Sequence, residues 1–290
     1  MSRTILITGC SSGFGHHAAR HLAAAGHRVF ASMRGVTGRN RDAADGLLAW
    51  AESEGARLEL AELDVTSDAS VAAAFESLPA LDVLINNAGL GFVGPAEALT
   101  PDQFAAQLDV NLVGAFRVTR AALPAMRRQG SGLILQVSSL SGRAALVGDS
   151  LYSASKFGLE GLSEGLRYEL GPLGIDVVLM EPGPFATDFV SNVHGADDPE
   201  LASAYGHVLG FMDGFAEMHG EMAQDPAIFS QALERVIDTP AGERPLRVIP
   251  GMDFGLGALN EGAEAVRTAV AAEMGLADWD GATSRSAPPV

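Results

Sequence analysis

The chain of 290 residues is poor in four things, and each shortage excludes something. Its one cysteine, Cys10, cannot form an internal disulfide, which fits a reducing, cytoplasmic setting. Positive charge is scarce: 19 Lys and Arg face 36 Asp and Glu, a formal net charge of −17. That balance argues against nucleic acid or an anionic membrane as a partner. No apolar run approaches the roughly 18 residues that suggest a membrane span, and Met1–Thr4 does not begin a long apolar signal core. A soluble protein is expected. Lysine is scarcest of all: eighteen of the nineteen basic residues are arginine, and the single lysine is Lys156.

Two other absences remove tempting readings. His16, His17 and His21 share a presumed helix but lack a Cys partner or a His-Glu-x-x-His pattern, so no metal is expected. Asp253-Phe254-Gly255 has the wording of a kinase element, yet a kinase needs a lysine on a strand, and the one lysine lies elsewhere.

What the chain has in quantity is apolar residues, 47% of the total, enough for a large core. Strand-like and helix-like segments alternate. Strands are expected at Ile5–Ile7, Arg28–Ala31, Leu58–Leu63, Asp82–Ile85, Leu133–Val137, Ile175–Met180 and Arg247–Ile249. Helices are expected to Ala25, to Trp50, over Val71–Leu78, in one long stretch over Pro101–Arg128, to Leu170, and over Ala263–Met274. Such alternation implies an α/β domain, a parallel sheet covered on both faces. No repeat or linker divides it, so residues 1–275 are read as one domain and 276–290 as a loosely held tail. Residues 184–238 break the rhythm, with helical patches and no clear strand. Phe211, Met212, Phe215 and Met218 there have helical spacing, which suits either a packed core face or a substrate lid. With Phe185 and Phe189 they suggest an apolar pocket.

The lone lysine lies four residues after Tyr152, one of three tyrosines, and Ser139 lies thirteen residues before it. On a helix that spacing puts ammonium and phenol on one face. A nearby positive charge favours the ionised phenol and brings its proton exchange nearer neutral pH. Ser139, at the end of an apolar strand, has a hydroxyl that can stabilise a developing oxyanion. The plainer reading is a solvated Tyr-Lys pair beside a turn serine.

The first strand is followed by Thr8-Gly9-Cys10-Ser11-Ser12-Gly13-Phe14-Gly15, which opens a helix. Glycines in that setting let a pyrophosphate approach backbone N–H groups at a helix N-terminus, although the spacing differs from Gly-x-Gly-x-x-Gly. After the second strand stands Met33-Arg34, with no acid between Gly26 and Asn40. An arginine there can grip a 2′-phosphate, with Ser12 contributing a hydroxyl, so NADP(H) is expected over NAD(H). The alternative is a solvated surface arginine.

With these stretches in hand, the sequence resembles the short-chain dehydrogenase/reductase family over about residues 3 to 190. The resemblance rests on Thr8–Gly15, on Asn86-Asn87-Ala88-Gly89, on Asn111 in Val110-Asn111-Leu112-Val113-Gly114, on Ser139, Tyr152 and Lys156, and on Pro182-Gly183 through Thr187. The first turn and the Ala31–Arg34 wording are most similar to the hydroxysteroid and retinol dehydrogenase branch. The resemblance implies a Rossmann-like, doubly wound sheet of about seven strands with helices on both faces. It implies that Tyr152 is the general acid/base, that Lys156 lowers its pKa and binds the nicotinamide ribose, and that Ser139 polarises the substrate oxygen. Asn111 would anchor a relay water. Asp64 and Val65 would border the adenine, Thr187 the carboxamide, and Asn87, Ala88, Gly89, Pro182 and Gly183 would line the cofactor cleft. It further implies a small apolar carbonyl or alcohol substrate and a homodimer or homotetramer built through two long helices. A non-catalytic NADP(H)-sensing or scaffold protein on the same fold is the rival reading; a lyase or epimerase is less favoured.

Overall fold

The computed structural model describes residues 1–282. Seven strands, all parallel to their neighbours, form one sheet: β1 Thr4–Ile7, β2 Arg28–Met33, β3 Leu58–Glu62, β4 Val83–Asn86, then β6 Gly132–Val137, β7 Ile175–Met180 and β9 Arg247–Val248. Their order is β3-β2-β1-β4-β6-β7-β9. The chain winds outward from β1 to β3, returns beside β1 as β4, and winds outward the other way. The turning point between β1 and β4 is where such sheets bind ligands, outside the strands' carboxyl ends. This is the expected doubly wound, Rossmann-like architecture.

Central strands read as nearly continuous apolar runs because both faces are covered; all six residues of β7 are buried, Asp176 among them. On one face, α1 Gly13–Ala24, α2 Arg41–Glu54 and α9 Pro226–Asp238 bring Leu22, Leu47, Phe229 and Leu233 onto Ile5, Ile7, Val29 and Ile85. On the other, α3 Asp68–Ser77, α5 Ala115–Gln129 and α6 Ser150–Leu170 bring Val71, Val118, Met126 and Leu166 onto Leu6, Leu84, Ile134 and Val177. Among the described residues, no helix is long and apolar enough to cross a membrane.

Three features depart from the sequence expectations. The long stretch from Pro101 is α4 Pro101–Leu108, one turn of π-helix Asp109–Gly114, and then α5. Helical periodicity cannot reveal one extra residue in a turn, and such bulges often re-aim a side chain at a functional site. Residues 184–238 do contain a strand, the two-residue β8 Val193–His194, which pairs with β5 Gly91–Phe92 in a small second sheet. The region also holds a short 3-10 helix, Asp188–Asn192, and three α-helices, α7 Pro199–Ser203, α8 Gly206–Met222 and α9.

The third concerns the chain's end. After α10 Leu256–Glu273, the segment through Ala282 is tied down rather than loose. Asp280 accepts from Arg167 and Arg267, and Ala282 N–H donates to Asp176 at 2.7 Å. Asp176, fully buried on β7, also pairs with Arg244 at 2.7 Å. These charges lie far apart in sequence, so no local pattern announces them. The expected tail beyond Ala282 lies outside the described residues.

Candidate active site

Thr8, the first residue after β1, is buried. Its hydroxyl oxygen accepts the N–H groups of Asn87 at 2.9 Å and Ala88 at 3.0 Å, and Asn87 Nδ2 donates back to Thr8 O at 2.8 Å and Gly9 O at 3.1 Å. The first turn and the turn after β4 are thus stitched together. A Cβ on Gly9 (φ +73°) would lie 2.8 Å from Ala88 Cα, and one on Gly15 would lie 2.4 Å from Gly9 O, so close approach forbids side chains. Gly13 is different. It lies in the left-handed region (φ +56°), and the nearest atom to a Cβ there would be Thr187 Cβ at 3.8 Å. The start of α1 therefore faces Thr187 across a gap that one added methyl group would bridge. Ser12 is the N-cap of α1, but its hydroxyl makes no capping bond and stays available, as a phosphate contact requires. The Phe14 ring turns the other way, stacking on Phe229 at 4.1 Å and edge-on to Phe185 at 5.1 Å. Its side chain serves the core, and so does that of Phe185, which the sequence had suggested for the pocket.

Arg34 is exposed just beyond β2. Burial opposes ionisation of Asp64, yet hydrogen bonds from the Thr66 N–H and hydroxyl, with Arg34 and Arg117 nearby, hold its carboxyl below the usual range. Val65 is buried against Gly114 in the π turn, and its carbonyl accepts from Arg117. Sequence reasoning missed Glu62, whose carboxylate accepts the N–H groups of Gly35 at 2.6 Å and Val36 at 2.7 Å. It comes from the neighbouring strand, so a search along β2 for an acid cannot see it.

The π turn brings Asn111 into the interior. Its Oδ1 accepts from Leu90 N–H at 2.9 Å; its Nδ2 donates to Leu90 O at 2.9 Å and Ser155 Oγ at 3.0 Å. Ser155 Oγ in turn donates to the Tyr152 carbonyl at 2.7 Å, a link with no advance signal in the sequence. Gly89 sits between Asn111 and Lys156: a Cβ there would lie 3.5 Å from Asn111 Oδ1 and 4.0 Å from Lys156 Nζ.

Lys156 is buried, with Nζ donating to Val137 O at 2.8 Å and lying 5.5 Å from the centre of the Tyr152 ring. Burial pulls the ammonium down to about 8, while the Glu160 charge opposes that fall. Ser139 caps a short turn at the end of β6, accepting Ser141 N–H at 3.1 Å, and hydrogen-bonds the Tyr152 phenol. The phenol stands above its ordinary range, because burial and the Asp149 carboxylate outweigh the Ser139 bond. That direction is opposite to the one the lysine was expected to impose. Asp149, one helical turn before the tyrosine, has its own carboxyl raised to about 6 by burial, against hydrogen bonds from Ser141 and Ser153.

A family model of short chain dehydrogenases matches residues 3–198. The chain belongs to the short-chain dehydrogenase family. It is an oxidoreductase of that family, with the family's Rossmann-like, nicotinamide-nucleotide type of fold. Human 17-beta-hydroxysteroid dehydrogenase type 1 is 40% identical over 242 residues, covering 81% of this chain and 71% of that protein. Human retinol dehydrogenase 8 is 36% identical over 250 residues, covering 82% and 78%. These relatives agree with the branch suggested by the first turn. Among solved structures, a short-chain dehydrogenase from Streptomyces avermitilis superposes with a TM-score of 0.76 at 34% identity, covering 94% of this chain and 97% of that one. One from Sphingobium yanoikuyae in complex with NADPH gives 0.70 at 25% identity, covering 92% and 95%.

In this short-chain dehydrogenase, the open side of Tyr152 faces the β5–β8 ribbon. The Tyr152 and Phe189 rings are 6.0 Å apart, a Cβ on Gly91 would lie 3.7 Å from Tyr152 Cδ2, and Phe92 lies against His194. Met212 of α8 covers Gly148, beside the start of α6. Phe211 and Met218 are 43% and 45% exposed, so the stripe on α8 is not the packed core face. Pro182 O accepts Leu140 N–H at 3.1 Å, joining the turn after β7 to the turn that carries Ser139.

Proposed function

We propose that this short-chain dehydrogenase interconverts a small apolar carbonyl compound and its alcohol with NADP(H). The observation that supports the reading is the convergence of Ser139, Tyr152, Lys156 and Asn111 from three separate elements, close to the glycine turn that opens α1. The residues that would hold the cofactor are the N–H groups opening α1, Ser12, Arg34, Asp64, Asn87 to Gly89, Thr187 and Lys156. A bound nicotinamide would supply or accept the hydride at the substrate carbon.

In reduction, Ser139 and Tyr152 bind the carbonyl oxygen, and Tyr152 gives it the phenolic proton as negative charge develops there. The raised phenol suits this direction, since the proton is in place at neutral pH. The tyrosinate left behind is stabilised by the Lys156 ammonium and regains a proton from solvent along the Lys156–Asn111 side of the cleft. In oxidation each transfer runs backwards. The ring of Phe189, the β5–β8 ribbon and the stripe on α8 support an apolar substrate, and the hydroxysteroid and retinol relatives support the same class. Exposed Val113, Phe116 and Phe157 support assembly as a homodimer or homotetramer, which sedimentation of the purified chain would read.

The decisive experiment is turnover of NADPH and NADH with a panel of apolar ketones, aldehydes and alcohols. NADPH-dependent reduction of at least one ketone or aldehyde is expected. An absence of turnover with every pairing, alongside tight NADPH binding, would favour the sensor reading. Cofactor choice is read in the same assay. Each charge-assisted contact contributes roughly 1.5–3 kcal/mol, so Arg34 and Ser12 together support a preference of tenfold to several hundredfold or more. Arg34→Ala should weaken NADPH strongly and NADH little, and Met33→Asp with Arg34→Ala should reverse the preference. Wild-type preference for NADH would overturn the assignment.

A further inference from the structure

Behind the cleft lies a buried group of charges that the mechanism above does not use. Lys156, Glu160 and Glu164 follow one another at four-residue spacing on α6. Glu160 Oε2 accepts from Arg247 Nε at 2.9 Å, and the same nitrogen is 3.2 Å from Glu181 Oε1. Arg247 also donates to Glu164. Glu181 Oε2 accepts from Asn260 Nδ2 at 2.5 Å, Asn260 Oδ1 accepts from Arg143 at 2.8 Å, and Arg143 Nε is 3.9 Å from Glu181. The side chains of Glu160, Glu181 and Arg247 are each 5% exposed or less.

Position gives the group its meaning. Ser138 precedes Ser139, Glu181 precedes Pro182, and Val137, whose carbonyl receives the lysine, precedes Ser138. The three carboxylates meet two guanidinium groups, Arg247 and Arg143, and Lys156, as buried as Glu160 and one helical turn before it on α6, is a further cation beside them. A buried charge without an opposite partner is costly, so both the lysine and the surplus carboxylate depend on each other. Glu160 Oε1 and Ser138 Oγ meet beside Gly142.

We infer that Glu160 is a positioning residue for the active site: locked in place by Arg247, its carboxylate is the counter-charge that keeps the Lys156 ammonium ionised and seated on the Val137 carbonyl. The groups facing this pair are Arg247 from β9, Glu181 from β7, Arg143 and Ser138 from the segment after β6, Asn260 from α10, and Tyr152 and Glu164 from α6. Only the expected effect on turnover rests on the catalytic reading of Lys156.

The test exploits the chain's single lysine. Protein grown with ζ-15N lysine carries one labelled side-chain amine, whose titration is read by nuclear magnetic resonance. In wild type the titration should fall well below that of a free lysine, near pH 8. Glu160→Gln removes the counter-charge and should lower it by a further unit or so, about the effect of one close charge. Glu164→Gln removes an equal charge at the half-exposed end and should move it far less. In an active enzyme, the alkaline limb of kcat for reduction should shift downward with the lysine in Glu160→Gln, with KM for the carbonyl unchanged. An unmoved Lys156 titration in folded Glu160→Gln overturns the inference. A moved titration in a chain that turns over no substrate upholds it and overturns the catalytic reading instead. Should Glu160→Gln not fold, Lys156→Met reads the same coupling from the other side. The carboxyl 13C titration of Glu160 must then move upward, and an unmoved one overturns the inference as well.

Discussion

The two sides of the cleft are held in place by different means. On the side proposed for the cofactor, two sets of hydrogen bonds, Thr8 with Asn87 and Asn111 with Leu90, Ser155 and Tyr152, most of them partly buried, hold the segments together largely by side chains gripping backbone groups. On the side proposed for the substrate, α7 buries only Ala202 and α8 only Val208. That side is attached at a few points, such as Tyr205 to Glu97 and Gln103 Nε2 to Gly195 O at 2.9 Å. A rigid frame suits a ligand that never changes, and a thinly attached cover suits one that must enter and leave.

The largest effect should come from the frame's reacting end. Tyr152→Phe is expected to reduce kcat by about a thousandfold or more while leaving NADPH binding, measured by fluorescence titration, nearly unchanged. Lys156→Arg should also lose most activity, because a guanidinium cannot occupy the site of a compact ammonium on Val137 O. Near-normal turnover in that variant would break the reading of the lone lysine.

Next in size is the frame itself. Gly15→Ala forces a methyl to 2.4 Å from Gly9 O and 2.5 Å from Asn87 Nδ2. It should cost roughly 1–3 kcal/mol in urea unfolding and weaken cofactor binding, since the turn and Asn87 must part. An unaffected variant would show that the stitching is looser than its distances suggest.

Acidity should separate the two directions of reaction. Because the phenol stands above its ordinary range, reduction should hold steady near neutral pH, whereas oxidation, which needs the ionised form, should climb with pH. Stability carries a second signature. The Glu181 carboxyl, raised to about 7 by burial and the Glu160 charge against Asn260, Arg247 and Arg143, binds its proton more tightly when folded. Its contribution is therefore present below about pH 4.5 and is lost as pH rises through about 7. Glu181→Gln should flatten that part of the stability profile measured by thermal unfolding.

The smallest effect belongs to the cover. Phe211→Ser on exposed α8 should change stability by less than about 0.5 kcal/mol yet raise KM for an apolar substrate severalfold. Hydrogen exchange over residues 206–222 should slow when NADPH and a substrate analogue bind. Full protection beforehand would erase the contrast between the two sides.

What could be read from the sequence follows the same division. Ile5–Ile7, Leu133–Val137 and Ile175–Met180 declare themselves because buried parallel strands are nearly continuous apolar runs. The glycine turn, Asn111, Ser139, Tyr152 and Lys156 are legible as short local patterns. The π turn is not, since one inserted residue barely disturbs a helical period. β5 and β8 are two residues each and lie about a hundred residues apart, so neither carries a periodicity. Glu62 beside Gly35, and Glu160 with Glu181 around Arg247, are meetings between distant segments. The direction of the Tyr152 shift was missed for a related reason: the lysine's proximity is local, but the burial that outweighs it is a property of the whole fold.

The anchoring of the last described residues bears on how the protein is made. Synthesis delivers Glu160, Asp176 and Glu181 well before Arg244, Arg247, Asn260 and Ala282, the groups that neutralise or hydrogen-bond them. While the nascent chain still ends short of Arg244, the outer edge of β7 lacks its neighbouring strand and these three interior carboxylates lack part of their partners. Completion of this part of the domain therefore waits until the segment from Arg244 to Ala282 has been made, although earlier segments can already pair. A chain arrested before Arg244 should stay open to protease around β7, and one extended past Ala282 should be closed there.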